Sequence, residues 1–273
     1  MNRVAAIQMA SGPNIGANLT EAGRLMSRAA DAGAGLVVLP ENFAVMGLTE
    51  ADKLRAKEKE GIGPIQDFIK EQARKQGLWI VAGTIPIEAS DAKRVRAACL
   101  VINDKGEQVA RYDKVHLFDV HLSESGDTYN ESETIEPGDK VTVVDTPFGR
   151  LGLAICYDLR FPELFRRMVD EKVELIAVPS AFTAITGRAH WETLIRARAI
   201  ENLSYIIASA QGGYHVNGRE TYGDSMIVDP WGQVIDRLPR GSGFVIAEIN
   251  LQKVADTRRN FPVLEHRKIP CNL

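Results

Sequence analysis

The stretch at 149–164, GRLGLAICYDLRFPEL, most narrows the folds open to this chain. Leu151, Leu153 and Ile155 alternate with Gly152 and Ala154, the small and apolar texture of a buried strand. The strand signal stops at Cys156, where Tyr157, Asp158 and Arg160 break the apolar run. Pro162 fits the first turn of a helix carrying Leu164, Phe165, Met168 and Val169 on one side. Cys156 therefore stands where a strand hands over to a helix. In open α/β sheets, ligands bind at the carboxyl ends of strands. A helix N-terminus beside Cys156 favours negative charge, and a thiolate is a negative charge. The alternative reading is a buried cysteine that fills space.

The same alternation runs along the chain. Strands are expected at 4–9, 36–39, 78–83, 95–103, 141–145, 175–178, 204–210, 225–229, 234–237 and 244–249, while 108–112 leads into DKVHLFD. Helical spacing marks 18–32, 64–76 and 190–202. The charged run at 50–61, EADKLRAKEKEG, reads as a helix with a solvated face. Residues 121–140 are polar and long for a connection, which makes them a candidate functional loop. The tail beyond Arg258 shows no periodicity. LVVLPENF at 36–43 is echoed by LIAVPSAF at 175–182, and VINDKGEQVAR at 101–111 by IVDPWGQVIDR at 227–237. The echoes keep their order. They predict a single domain over 1–273 with pseudo-symmetric α/β halves, roughly 1–140 and 141–250, plus a C-terminal tail, the alternative being chance similarity between buried strands and turns. Each sheet then needs helices on one face and the other sheet on its opposite face.

Composition excludes several classes. A net charge of −3 does not suit nucleic acid or an anionic membrane as partner. Three cysteines, Cys99, Cys156 and Cys271, make neither a closed disulfide framework nor a zinc pattern, so no metal is expected. A reducing compartment is the natural setting. The N-terminus, MNRVAAIQMA, reads straight into a strand and lacks the apolar segment of a signal peptide. No apolar run approaches the ~18 residues of a membrane span. The expectation is a cytoplasmic enzyme or binding protein.

A nucleophilic cysteine needs a base and a group that stabilises the developing oxyanion. Five histidines are available, His116, His121, His190, His215 and His266, none in a local Cys/His protease signature. Two other residues stand out by position. Glu41 ends LVVLPE, which places a carboxylate at the mouth of a sheet rather than on a helix face. Lys114 lies in RYDKVHLF, flanked by Val115, Leu117 and Phe118. It is either strand-edge protection or a partly buried ammonium.

Taken together, LPENF, DKVHLF and GLAICYDLRFPEL, in that order, resemble the nitrilase superfamily of carbon–nitrogen hydrolases. The resemblance extends to PSAF at 179–182, TGRAHWETLIRARAIEN at 186–202 and YGDSMIVDPWG at 222–232. It implies a four-layer α-β-β-α sandwich, assembled at least as a homodimer. It also implies that Glu41, Lys114 and Cys156 form a catalytic triad, with Glu131 of NESETIEPGD as a fourth member. Glu41 would be the general base, Lys114 an oxyanion donor, and the backbone N–H of Tyr157 a second one. Neither a metal nor an organic cofactor is called for. Asp158, Asp119 and His116 would support these groups from behind. Within the superfamily the same stretches are closest to amidases that act on deaminated glutathione or on small ω-amides. Both substrates end in an α-keto carboxylate, so the pocket should hold a cation. Arg160 is the first candidate, with a salt bridge supporting the nucleophile turn as its alternative role. Phe182, Thr183 and Thr186 should reach the same mouth from the second half. Competing readings are a nitrilase, an N-carbamoyl amidohydrolase, a catalytically silent scaffold and a redox sensor built on Cys156.

Overall fold

The computed structural model describes residues 2–123 and 126–269. The first half supplies β1 (Arg3–Gln8), α1 (Ile15–Asp31), β2 (Leu36–Val38), α2 (Ala51–Arg55), α3 (Pro64–Gln76), β3 (Trp79–Val81), β4 (Ile85–Glu88), β5 (Val95–Ile102) and β6 (Gln108–Asp113). The segment read as a functional loop contains a hairpin, β7 (Asp119–Leu122) and β8 (Asp127–Asn130), followed by a 3-10 turn at Glu131–Glu133. The second half supplies β9 (Val143–Thr146), β10 (Gly149–Leu153), α4 (Pro162–Asp170), β11 (Leu175–Ser180), α5 (Ala184–Asn202) and β12 (Tyr205–Ala210). A small hairpin, β13 (Gly212–Tyr214) and β14 (Glu220–Tyr222), precedes β15 (Ser225–Val228), β16 (Val234–Leu238), β17 (Gly243–Glu248) and α6 (Leu251–Asn260).

These strands form two sheets of matching design. One runs β17-β1-β2-β3-β5, with β6 along the far edge of β5 and β4 sharing the β3 side. The other runs β9-β10-β11-β12-β15-β16. In each, three parallel strands sit beside antiparallel ones: β1, β2 and β3 in the first, β10, β11 and β12 in the second. The sequence boundary near residue 140 does not separate the sheets, because β17 returns from the far end of the chain to pair antiparallel with β1.

The layers follow from alternation along the strands. Ala5, Ile7, Val37 and Leu39 face outward onto Ala22, Leu25, Met26, Ile65 and Ile69 of α1 and α3. Val4, Ala6, Leu36 and Val38 face inward, into a cluster that continues through the second sheet to Phe165, Met168, Trp191 and Ile195 of α4 and α5. The result is the α-β-β-α sandwich, with a dry layer between the sheets and another under each helix pair. Local signals set the helix ends. Asn14 Oδ1 accepts from Ala17 N–H to start α1, and Pro64 opens α3, which stops at Gly77 in the left-handed region (φ 64°). Among the described residues no helix is long and apolar enough to cross a membrane.

Three expectations need correction. The helix expected at 190–202 begins six residues earlier, because Thr183 caps it by accepting from Thr186 N–H. Only Ala51–Arg55 of the charged run is helical. A helix, α6, lies at 251–260, where the tail was expected to begin; Val254 is its one buried residue, so it leaves no apolar stripe to read. Cys271 lies outside the described residues.

Candidate active site

The site assembles at strand ends. Glu41 follows β2, Lys114 follows β6, Cys156 follows β10 and Phe182 follows β11. All four side chains line one cavity, with Glu131 delivered from the turn after β8. A cavity at the carboxyl ends of strands is an ordinary place for a small organic ligand.

Lys114 is the hub. Its Nζ donates to Glu41 Oε1 at 2.7 Å and to both Glu131 oxygens at 2.9 and 2.8 Å. It is 2% exposed, which settles its setting as a buried ammonium. Burial works against the charge, but Glu131, Glu41 and the hydrogen bond to Glu131 together hold Lys114 well above the usual lysine range. Burial likewise works against ionised Glu131. The charges of Lys114 and Lys53 and the N–H of Phe118, 2.7 Å from Oε2, outweigh it and keep the carboxyl below its usual range.

Cys156 behaves differently from the thiolate that a helix terminus would favour. Burial, then the neighbouring charge of Glu41, push its thiol up; Lys114 and the N–H of Ala181 pull the other way and lose. Burial and Glu41 both favour the protonated thiol over the thiolate at the resting sulfur. The reason lies in the turn as well as in the charges. Residues Cys156–Arg160 form one 3-10 turn, and the α-helix starts only at Pro162, so no long helix points its N-terminus at the sulfur.

The turn itself is strained. Cys156 has φ 47°, in the left-handed region that L-residues with side chains avoid. Asp158, fully buried, holds it there. Its Oδ2 accepts from Ile155 N–H at 2.8 Å and from the Tyr112 hydroxyl at 2.7 Å. Its Oδ1 accepts from the His116 backbone N–H at 3.0 Å and lies 2.7 Å from His116 Nδ1. Tyr112 and His116 flank Lys114 in sequence, so one carboxylate ties the cysteine turn to the lysine segment. His116 is also stacked on Phe161, with centroids 3.7 Å apart. Asp158→Asn replaces one acceptor with a donor facing donors. It is expected to cost about 2–4 kcal/mol of stability. Denaturant unfolding with an unchanged midpoint would contradict this role.

The other anticipated residues are also brought to the cavity. Tyr157 lines it, with its ring edge-on to Phe118 and Phe161 at 5.1 and 5.3 Å. Arg160 lines it with no carboxylate partner among the described residues, so the alternative salt bridge is absent. Its guanidinium lies 5.3 Å from the Phe182 ring centre, and Nη1 is 3.3 Å from His190 Nδ1. Phe182, Thr183 and Thr186 line the cavity too, with the two threonine hydroxyls 2.8 Å apart. Asp119 accepts from Ser132 N–H at 2.9 Å and so braces the turn that carries Glu131. His121 bonds Thr128, and His215 bonds Ser11 and Thr221, so their rings are engaged away from Cys156.

Sequence reasoning missed part of the wall. Glu50 and Lys53 line the cavity and pair at 2.7 Å, although the charged run was expected to face solvent. Arg219, near the tip of the β13–β14 hairpin, lines it as well. The only available signal for Arg219 was the NG turn at 217–218, which marks a hairpin but not what it overhangs.

Comparison with known proteins identifies the family. The carbon–nitrogen hydrolase family model matches residues 3–259. A deaminated glutathione amidase of Yersinia enterocolitica is 40% identical over 271 residues, covering 99% of this chain and 94% of that protein. A protein of the same name from Synechocystis sp. is 43% identical over 266 residues, covering 96% and 97% respectively. The crystal structure of the C. elegans NitFhit protein superposes with a TM-score of 0.90 at 39% identity. That match covers 97% of this chain, which spans 65% of the NitFhit chain. Because the match runs through every segment that lines the cavity, this chain belongs to the carbon–nitrogen hydrolase family.

Proposed function

We propose that the protein is a thiol amidohydrolase whose substrate is deaminated glutathione, in which a keto group replaces the amino group. The observation that carries the chemistry is the buried cluster of Cys156, Glu41, Lys114 and Glu131. Glu41 takes the thiol proton as sulfur attacks the amide carbon. The ammonium of Lys114 and the backbone N–H of Tyr157 stabilise the tetrahedral oxyanion. The carbon–nitrogen bond breaks, the leaving nitrogen takes the proton back from Glu41, and a thioester remains on Cys156. Water, deprotonated by Glu41, then hydrolyses the thioester and restores the thiol. Atoms balance with amide and water alone. Glu131 keeps Lys114 charged and fixed without touching the sulfur.

The substrate assignment rests on the relatives' names and on cavity charge. Lys53, Lys114, Arg160 and Arg219 face Glu41, Glu50 and Glu131, so cations outnumber carboxylates while the thiol is neutral. Such a cavity attracts an anion. Arg160 is assigned to the α-keto carboxylate, with Phe182, Thr183 and Thr186 as the opposing wall. Products are α-ketoglutarate and cysteinylglycine. The test is kcat/KM for deaminated glutathione against α-ketoglutaramate. A preference for the small amide by tenfold or more, about 1.4 kcal/mol in transition-state terms, would defeat the assignment.

The same reading includes a homodimer in the cytoplasm. Trp231 and Phe261, 59% and 46% exposed, meet edge-to-face at 5.6 Å where the tail leaves α6, an apolar surface suited to a second copy. Light scattering at micromolar concentration should give twice the 30.0 kDa chain mass. A clean monomer would refute it.

A further inference from the structure

We infer that Arg219 is a specificity-determining residue that binds the carboxylate of the leaving half of the substrate. Deaminated glutathione carries a carboxylate on each side of the scissile amide, and the inference rests on that substrate reading. A small ω-amide carries one, on the acyl side only. The cavity matches the larger substrate with two arginines that reach it from separate elements, Arg160 on the nucleophile turn and Arg219 on the β13–β14 hairpin.

Arg219 has the features of a cation awaiting an anion. Among the described residues it has no carboxylate within ion-pair distance. Glu50 lines the same cavity and feels the charge of Arg219, but its hydrogen bond goes to Lys53 at 2.7 Å. Nε of Arg219 is buried and has no hydrogen-bond partner. A buried donor left unpaired is costly, and a ligand oxygen would relieve it. The rest of the group is preset. Nη2 donates to the carbonyl of Ala181 at 2.6 Å, and the guanidinium lies 5.3 Å from the Tyr129 ring centre. Ala181 lines the same cavity as Cys156, so this arginine is tied to the wall that carries the nucleophile.

The hairpin is held firmly enough to present it. His215 Nδ1 lies 2.8 Å from the Ser11 carbonyl and its Nε2 2.7 Å from Thr221 Oγ1. Asn217 donates to the Gly47 carbonyl at 2.8 Å, and His215 N–H donates to the Arg219 carbonyl at 2.9 Å. Division of labour follows from the order of bond breaking. The acyl half stays on Cys156 through both steps, so its carboxylate belongs with Arg160, four residues along the same turn. The leaving half departs after the first step. Arg219 serves it from a hairpin whose neighbouring Tyr214 and Val216 are 78% and 75% exposed, at the solvent side of the cavity.

The experiment compares Arg219→Gln, Arg219→Lys and Arg160→Gln on deaminated glutathione and α-ketoglutaramate. With Arg219→Gln, kcat/KM for deaminated glutathione should fall about 10- to 100-fold further than kcat/KM for α-ketoglutaramate, the loss lying mainly in KM. Arg219→Lys should recover part of it, since the charge remains while the fork is lost. Arg160→Gln should depress both substrates alike. Hydrolysis of the thioester, which is the same for both substrates, should keep one rate in wild type and Arg219→Gln and so reports a correctly folded site. Equal losses on the two substrates in Arg219→Gln, or a slowed thioester hydrolysis, overturn the inference. A wild-type enzyme that releases no cysteinylglycine overturns the substrate reading itself, before any variant is made.

Discussion

Cys156→Ala is expected to abolish amide hydrolysis, by at least about 10⁵-fold, while leaving the protein folded. The size of the effect follows from the route. Without the sulfur no thioester forms, and Glu41, Lys114 and Glu131 are left to orient a water that has no built position. Among the described residues the other thiol offers no bypass: Cys99 lies in β5 at 0% exposure, and burial pushes its thiol far up. The fold should tolerate the change. Alanine removes one sulfur from a cavity wall, and the strained turn keeps its Asp158 anchor to Ile155, Tyr112 and His116. Circular dichroism should stay native while cysteinylglycine release disappears. Retained turnover in this variant would end the mechanism.

The fold was legible wherever burial forced a pattern. Strands buried on both faces, such as β2 and β11, read as continuous apolar runs, and amphipathic α1 and α3 read by their spacing. What escaped was governed by contacts distant in sequence. β4 holds a proline, Pro86, and lies at the sheet edge, where β5 pairs one side and a single bridge to Glu58 the other, so its four residues carry no central-strand signal. α6 buries one side chain. Residues 184–189, AITGRA, join α5 because Thr183 caps them, not because of any stripe.

The site divides along the same line. Cys156 and Glu41 were visible because an apolar strand ends abruptly in a polar residue. Lys114 stood between two meanings until its partners were placed. Glu131 came from resemblance alone, since a glutamate in a polar loop has no local mark. Lys53 and Arg219 were unreadable, because a charged residue folded over a cavity looks in sequence like one in water. The protonation of Cys156 was read the wrong way for a related reason. The local turn suggested a helix N-terminus, whereas burial and a carboxylate from 115 positions earlier in the chain, at Glu41, decide it.

That decision leads to the second large effect, in Glu41→Gln. The neighbouring carboxylate is one of the causes that push the Cys156 thiol up, after burial. Removing its charge must therefore make the thiol more acidic, so thiolate absorbance near 240 nm should appear at lower pH in the variant than in wild type. Wild type should show less thiolate from Cys156 than an ordinary thiol shows at the same pH. Lys114 keeps its second partner, Glu131, at 2.8 Å, so the oxyanion donor survives the change. If a thiolate were all that attack required, the variant would acylate faster. The leaving nitrogen, however, needs a proton to depart, and a glutamine side chain has none to deliver. Turnover should fall by at least ~10³-fold. Mass spectrometry after mixing with substrate should find no thioester on Cys156. A more acidic thiol combined with a slower enzyme separates proton transfer from nucleophile ionisation, two roles that a single loss of activity cannot distinguish. A normal yield of acyl-enzyme in Glu41→Gln would remove Glu41 from the mechanism.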